Sequence, residues 1–120
     1  MKFVLHSITA EGTPEQQSRL QKVHELFVAY QKWLDVDLCF QGFDAELAGL
    51  PGAYAPPRGR LFYLEMDGKA AGCIGLRPLD ETTCEIKRLF VIPEYRGRGL
   101  GQKLVLATIK AAREIGYQRM

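Results

Sequence analysis

The stretch Arg96-Gly97-Arg98-Gly99-Leu100-Gly101 combines residue types and spacing that suit an anionic ligand. Glycines carry no Cβ, so their backbone N–H groups can approach an anion closely. If a helix opens here, its first amides lack intrahelical partners and its dipole favours negative charge at that end. Arg96 and Arg98 add positive charge, and a pyrophosphate fits the arrangement. Two other glycine loops are excluded. The phosphate loop of nucleotide triphosphatases needs Gly-x4-Gly-Lys-Ser/Thr, and no lysine follows in that pattern. The dinucleotide fingerprint needs Gly-x-Gly-x-x-Gly after the first strand of a parallel unit. Here the glycines alternate with single residues, and the preceding strand ends a series of hairpins.

Other elements must position this loop. Residues 3–9 read as a strand of β-branched and apolar residues. Thr13-Pro14-Glu15-Gln16 opens a helix, with Thr13 as N-cap, Pro14 in the first turn and Gln16 reaching back as a capping box. Leu20, Val23, Leu26, Phe27, Tyr30, Trp33 and Leu34 then form one helical stripe, with His24 beside it in a structural or surface role. Residues 35–60 are less regular: a short helix is expected near Asp44–Leu47, residues 50–52 and 55–59 stop regular structure, and the stretch is either a mobile loop or a plain connection. Residues 60–66 and 70–79 form a hairpin about Asp67-Gly68, a type I′ signal. Gly72 and Gly75 interrupt the return strand, which implies a bulge or the close approach of another stretch of chain. A third strand runs over residues 83–92 and ends at Pro93. The helix after the glycine loop spans Gly99 to about Ile115, with Leu100, Leu104, Ala107/Thr108 and Ala111 in step, and Gly116 suits its C-terminal cap.

The chain has 120 residues, 47% hydrophobic and 25% charged. These values fit one soluble globular domain over residues 1–120 and exclude a disordered tail or a fibre. No run approaches the roughly 18–20 apolar residues of a membrane span. The N-terminus turns polar too early for a signal peptide, so a cytoplasmic protein is expected. The net charge of +2 is uneven: residues 1–95 hold ten Lys/Arg against thirteen Asp/Glu, and residues 96–120 hold six against Glu114 alone. The C-terminal quarter is where an anion would be held, unless this is an ordinary solvated helix face. Cys39, Cys73 and Cys84 are too scattered for a zinc site and read as free thiols. No metal is implied.

With its flanks, Leu89-Phe90-Val91-Ile92-Pro93 before it and an apolar helix after it, the glycine loop resembles the acetyl-CoA motif of the GNAT family, the Gcn5-related N-acetyltransferases. The likeness is most specific over residues 60–120. The order of strand, long helix, short helix, hairpin, strand, motif and helix extends it to the whole chain. It implies an α+β fold, a mostly antiparallel sheet flanked by helices, with acetyl-CoA as cofactor. It also implies acetyl transfer to a primary amine: a small amine, an amino acid, an antibiotic, or a protein N-terminus or lysine. Carried over residue by residue, it assigns the pyrophosphate to Arg96, Gly97, Arg98, Gly99, Leu100 and Gly101. It assigns the pantetheine arm to Phe90 and Val91, with the Val91 N–H as oxyanion donor. An amine must lose a proton to attack, and Glu85, at the start of the motif strand, is the catalytic candidate that the likeness implies. The alternative for Glu85 is an ordinary cross-strand ion pair. Phe40, Phe43 and Tyr54 either line an acceptor pocket or pack in the core.

The family continues after the motif helix with a fifth strand parallel to the motif strand, and Gly116–Met120 resembles only its entry. The expected fold therefore lacks the family's C-terminal strands, one wall of the acetyl-CoA wedge and the usual tyrosine acid. The strand over 83–92 becomes an exposed edge, and a homodimer through that edge is expected. A truncated module that binds CoA weakly and self-associates without catalysis is the alternative to an enzyme. Nucleic-acid binding is disfavoured, because residues 96–120 offer Tyr117 alone for stacking.

Overall fold

The structure, a computed structural model, describes residues 3–9, 12–34 and 43–120. Four strands form one antiparallel sheet in the order β1-β2-β3-β4: β1 Phe3–Ser7, β2 Arg60–Met66, β3 Lys69–Pro78 and β4 Cys84–Val91. Helix α1 (Pro14–Leu34) and the short α2 (Phe43–Ala48) cover one face, and α3 (Leu100–Ile115) covers the other. This is the α+β arrangement expected. Cys39 and Phe40 lie outside the described residues.

Local chemistry explains most element ends. The β2–β3 turn places Asp67 at φ 49° and Gly68 at φ 80°, as a type I′ turn requires. Thr13 caps α1 by accepting the Gln16 N–H on Oγ1 at 3.2 Å. The second half of the capping box does not close. Gln16 Oε1 instead accepts the Thr9 N–H at 3.0 Å, tying the exit of β1 to the start of α1. β1 stops at Ser7, two residues before the expected end, although the Ile8 N–H still bonds the Leu61 carbonyl. Asp80 Oδ1 accepts the N–H groups of Thr82 and Thr83 at 2.9 and 2.8 Å and forms the turn into β4. Those bonds hold the Asp80 carboxyl below its ordinary pKa.

The core has two halves. Val23, Leu26 and Phe27 of α1 pack with Phe43 and Tyr54 over Ile8, Leu61, Tyr63, Cys73 and Phe90. Phe43 and Tyr54 are thus buried in the core. Phe43 stacks on Phe27, and the Tyr54 ring meets Phe27 edge-on. On the other face Leu100 and Leu104 pack against Leu64, Ala71 and Ile74. Each leucine buried this way contributes roughly 2 kcal/mol, enough to fix α3 and the loop before it. Cys73 and Cys84 are buried free thiols, and burial pushes both above the ordinary thiol pKa.

The edge of β4 is not bare along its whole length. Thr83 forms a parallel bridge with Arg119, and the Cys84 N–H bonds the Arg119 carbonyl at 3.0 Å. This corrects the expectation of an open edge over 83–92. The C-terminal residues run beside the start of β4, in the sense expected of a fifth strand.

Candidate functional site

The site lies where β4 ends and α3 begins, and a β-bulge shapes it. Cys73 pairs with Phe90 and Gly75 with Lys87, so Ile74 faces both Arg88 and Leu89. Two residues opposing one bend the strand and increase its twist. Arg88 takes the strain, with φ 62°. It is held there by Glu46 of α2, which accepts from Arg88 Nε at 2.9 Å and Nη2 at 3.0 Å. The Arg88 guanidinium also lies 5.0 Å over the Phe43 ring. This pair is almost fully buried on the Arg88 side, so the bulge is fixed by a bidentate ion pair from another element.

Beyond the bulge, Leu89, Phe90 and Val91 form one wall of a cleft of about 310 Å³. Tyr95, Arg96, Gly97, Gly99, Leu100 and Gly101 form the other, and Trp33 from the last turns of α1 closes one side. The Ile92 N–H bonds the Ala71 carbonyl at 2.8 Å. The neighbouring Gly72–Val91 pair is therefore the non-hydrogen-bonded kind, whose N–H and C=O point away from the partner strand. For Val91 that direction is the cleft, and Arg96 Nε donates to its carbonyl at 2.9 Å.

Gly97 and Gly99 have φ of 83° and 74°, and Gly99 is the N-cap of α3. No acidic residue stands in the first turn of α3. A Cβ added to Gly97, Gly99 or Gly101 would meet nothing within 4 Å. Gly101 is the informative one: its φ does not require glycine and no neighbour excludes a side chain. The open space lies at the helix end whose amides and dipole favour an anion. The residues present thus fit a phosphate-bearing ligand whose chain runs toward Val91.

The sequence-derived site residues divide in two. Phe90, Val91, Arg96, Gly97, Gly99, Leu100 and Gly101 line one cleft, and Arg98 stands between them in the loop, exposed. Glu85 does not line it. It stands opposite Arg77 in the β3–β4 register and accepts from Arg77 Nε at 2.7 Å, which is the cross-strand ion pair named as its alternative. Lys87 lies nearby, its pKa lowered by partial burial and then by Arg77 and Arg88. Tyr54, whose phenol is pushed up by burial and by Glu46, lines a separate cavity with Glu46 and Arg77. Sequence reasoning missed Trp33 and Tyr95, and named Leu89 only as part of the strand beside the pantetheine arm. Trp33 falls on the apolar stripe of α1, yet it is 53% exposed, because it lies beyond the part of the helix that the core covers.

Among the described residues no group of three or more His, Cys, Asp or Glu could hold a metal, and no helix is long and apolar enough to cross a membrane.

This geometry has known counterparts. The acetyltransferase (GNAT) family model matches residues 20–120. An uncharacterized N-acetyltransferase of Schizosaccharomyces pombe is 37% identical over 116 residues, which are 95% of this chain and 69% of that protein. An acetyltransferase from Streptococcus agalactiae superposes with a TM-score of 0.70 at 24% identity, over 94% of this chain and 68% of that one. A GNAT family acetyltransferase from Elizabethkingia anophelis, solved with acetyl-CoA bound, gives a TM-score of 0.58 at 25% identity, over 96% and 60%. With a family match across most of its length and a strand, glycine loop and helix that build one cleft, the chain belongs to the acetyltransferase (GNAT) family.

Proposed function

We propose that this chain is an N-acetyltransferase that takes the acetyl group from acetyl-CoA to a primary amine. The observation that carries the reading is the cleft itself: an outward-facing strand end, a glycine loop and a helix N-terminus converge on it, and at Gly101 nothing structural demands a glycine. Bound there, acetyl-CoA supplies the activated acetyl thioester. The residues of the chain do the rest. The amides at Gly99–Gly101 and the arginines of the loop hold the pyrophosphate. The Val91 backbone groups would align the pantetheine arm, and the Val91 N–H would be the donor for charge developing on the acyl oxygen. Glu85 enters as the group that accepts the amine proton, by way of water because it does not line the cleft. A homodimer belongs to the same reading, formed through the stretch of β4 between the Thr83–Arg119 bridge and the cleft. Light scattering at micromolar concentration tests it, and a monomer overturns it.

A thermal-melt titration with acetyl-CoA, with CoA and ATP alongside, tests the cofactor. Ligand at 100 times its dissociation constant adds about 2.7 kcal/mol, a shift of several degrees for a domain of this size. The shift is expected to saturate and to vanish in Gly99→Glu. No shift up to millimolar ligand overturns the reading. Glu85→Gln is expected to keep the melt shift and to slow thiol release in an amine-acceptor screen by ~100-fold, the lower range for a lost general base.

A further inference from the structure

Arg96 faces two demands. The reading above gives it to the pyrophosphate. In the structure it lies across the cleft instead. Its Nε donates to the Val91 carbonyl at 2.9 Å, and its guanidinium carbon stands 4.5 Å over the Trp33 ring and 5.7 Å from the Phe90 ring centre. Trp33 and Phe90 face each other at 5.8 Å, tilted by 51°. The guanidinium therefore occupies an aromatic corner and covers the carbonyl by which the end of β4 would greet a ligand arm. Trp33 is more than half exposed, so core burial does not account for its position; it meets the Arg96 guanidinium and the Phe90 ring.

We infer that Arg96 has two positions and that Trp33 sets the balance between them. In the resting position Arg96 is stacked under Trp33 on the Val91 carbonyl. In the working position it turns to the phosphates, leaving the Val91 carbonyl to the pantetheine arm. Trp33 is then a positioning residue, which acts through Arg96. This rests on the acetyl-CoA reading and adds an internal competitor to it. A site whose competent state is partly populated binds with affinity reduced by that fraction. An exposed cation–π contact shifts such a balance by a factor of about two to five.

The two halves of the cofactor should respond with opposite sign. In Arg96→Ala, pantetheine is expected to bind about two to five times more tightly, because the competitor is gone. ADP, carrying the pyrophosphate, is expected to bind about tenfold more weakly, because a charged hydrogen-bond donor is lost. In Trp33→Leu, pantetheine should gain and ADP should not lose. Ligand-observed NMR measures both, and melts confirm that these exposed-site variants fold. Trp33 is the only tryptophan in the sequence, so its emission in the unmodified protein should change on saturation with CoA as the guanidinium leaves. Loss of affinity for both halves in Arg96→Ala, or pantetheine binding unmoved in Trp33→Leu, overturns the inference. CoA binding seen by calorimetry with unchanged Trp33 emission overturns it as well and leaves the cofactor reading standing. No calorimetric binding of CoA overturns both.

Discussion

The glycines of β3 and the glycines of the loop before α3 are the same residue kept for opposite reasons. A Cβ on Gly75 would stand 2.6 Å from the Tyr54 ring, and one on Gly72 would stand 2.9 Å from the Phe90 carbonyl. There the space is already full, and glycine lets the sheet lie against its neighbours. At Gly97, Gly99 and Gly101 the space is empty. Empty space alone does not mark a site, since Gly12, Gly52, Gly68 and Gly116 also meet nothing; Gly101 joins open space to a place in the cleft at the start of α3. The difference separates glycines that packing requires from glycines whose space a ligand could take.

Gly75→Ala should have the largest effect on that comparison. The Tyr54 ring is buried and packed against Phe27, so it cannot swing away cheaply. Overpacking of this kind costs about 1–3 kcal/mol, read as a fall in melting temperature of roughly 4–12 °C. Adding Tyr54→Leu should return part of the loss, since the two sites share one volume. If Gly75→Ala melts like the unmodified protein, the close approach is not what keeps a glycine there. Gly99→Ala comes next. Its φ of 74° places an alanine in the left-handed region at a cost of about 1–2 kcal/mol. Gly99→Asn should recover much of it, because asparagine tolerates that conformation. Equal melting of the alanine and asparagine variants would remove the conformational argument for this glycine.

How much of this was legible in the sequence depends on the range of the interaction. The Asp67-Gly68 turn, the Thr13 cap and the ends of α3 at Gly99 and Gly116 are set by neighbours within a few residues, and each was readable. Gly72 and Gly75 announced a bulge or a close approach, but not that Phe90 and Tyr54 would be the partners. Gln16 was read as a local cap, yet its oxygen went to Thr9, beyond the helix. Arg88 had no local mark at all. Its positive φ depends on Glu46 of α2, a partner that strand periodicity does not reveal. Trp33 looked like core because periodicity records which side of a helix a residue is on, not where along the helix the core stops. The glycine loop and the helix that follows it were readable because glycines and helix ends act through local geometry. The identity of Glu85's partner, Arg77, and the place of Trp33 beside the loop were not, because each turns on residues of other elements.

Gly101→Ala has the smallest expected effect on stability, and its sign is reversed. The residue lies in the first turn of α3, its φ is ordinary, and a Cβ there meets nothing. Replacing such a glycine by alanine reduces the freedom of the unfolded chain and stabilises by about 0.4–1 kcal/mol. The melting temperature should therefore rise by a few degrees. Acetyl-CoA titration of the same variant should give a melt shift well below that of the unmodified protein, because the methyl group occupies the approach to the helix amides. A gain in stability joined to a loss of ligand response is what separates a glycine kept for a ligand from one kept for packing. A variant that melts higher and still responds fully to acetyl-CoA would show that the pyrophosphate does not approach α3 at Gly101, and the phosphate site would then have to rest on Gly97, Gly99 and the two arginines alone.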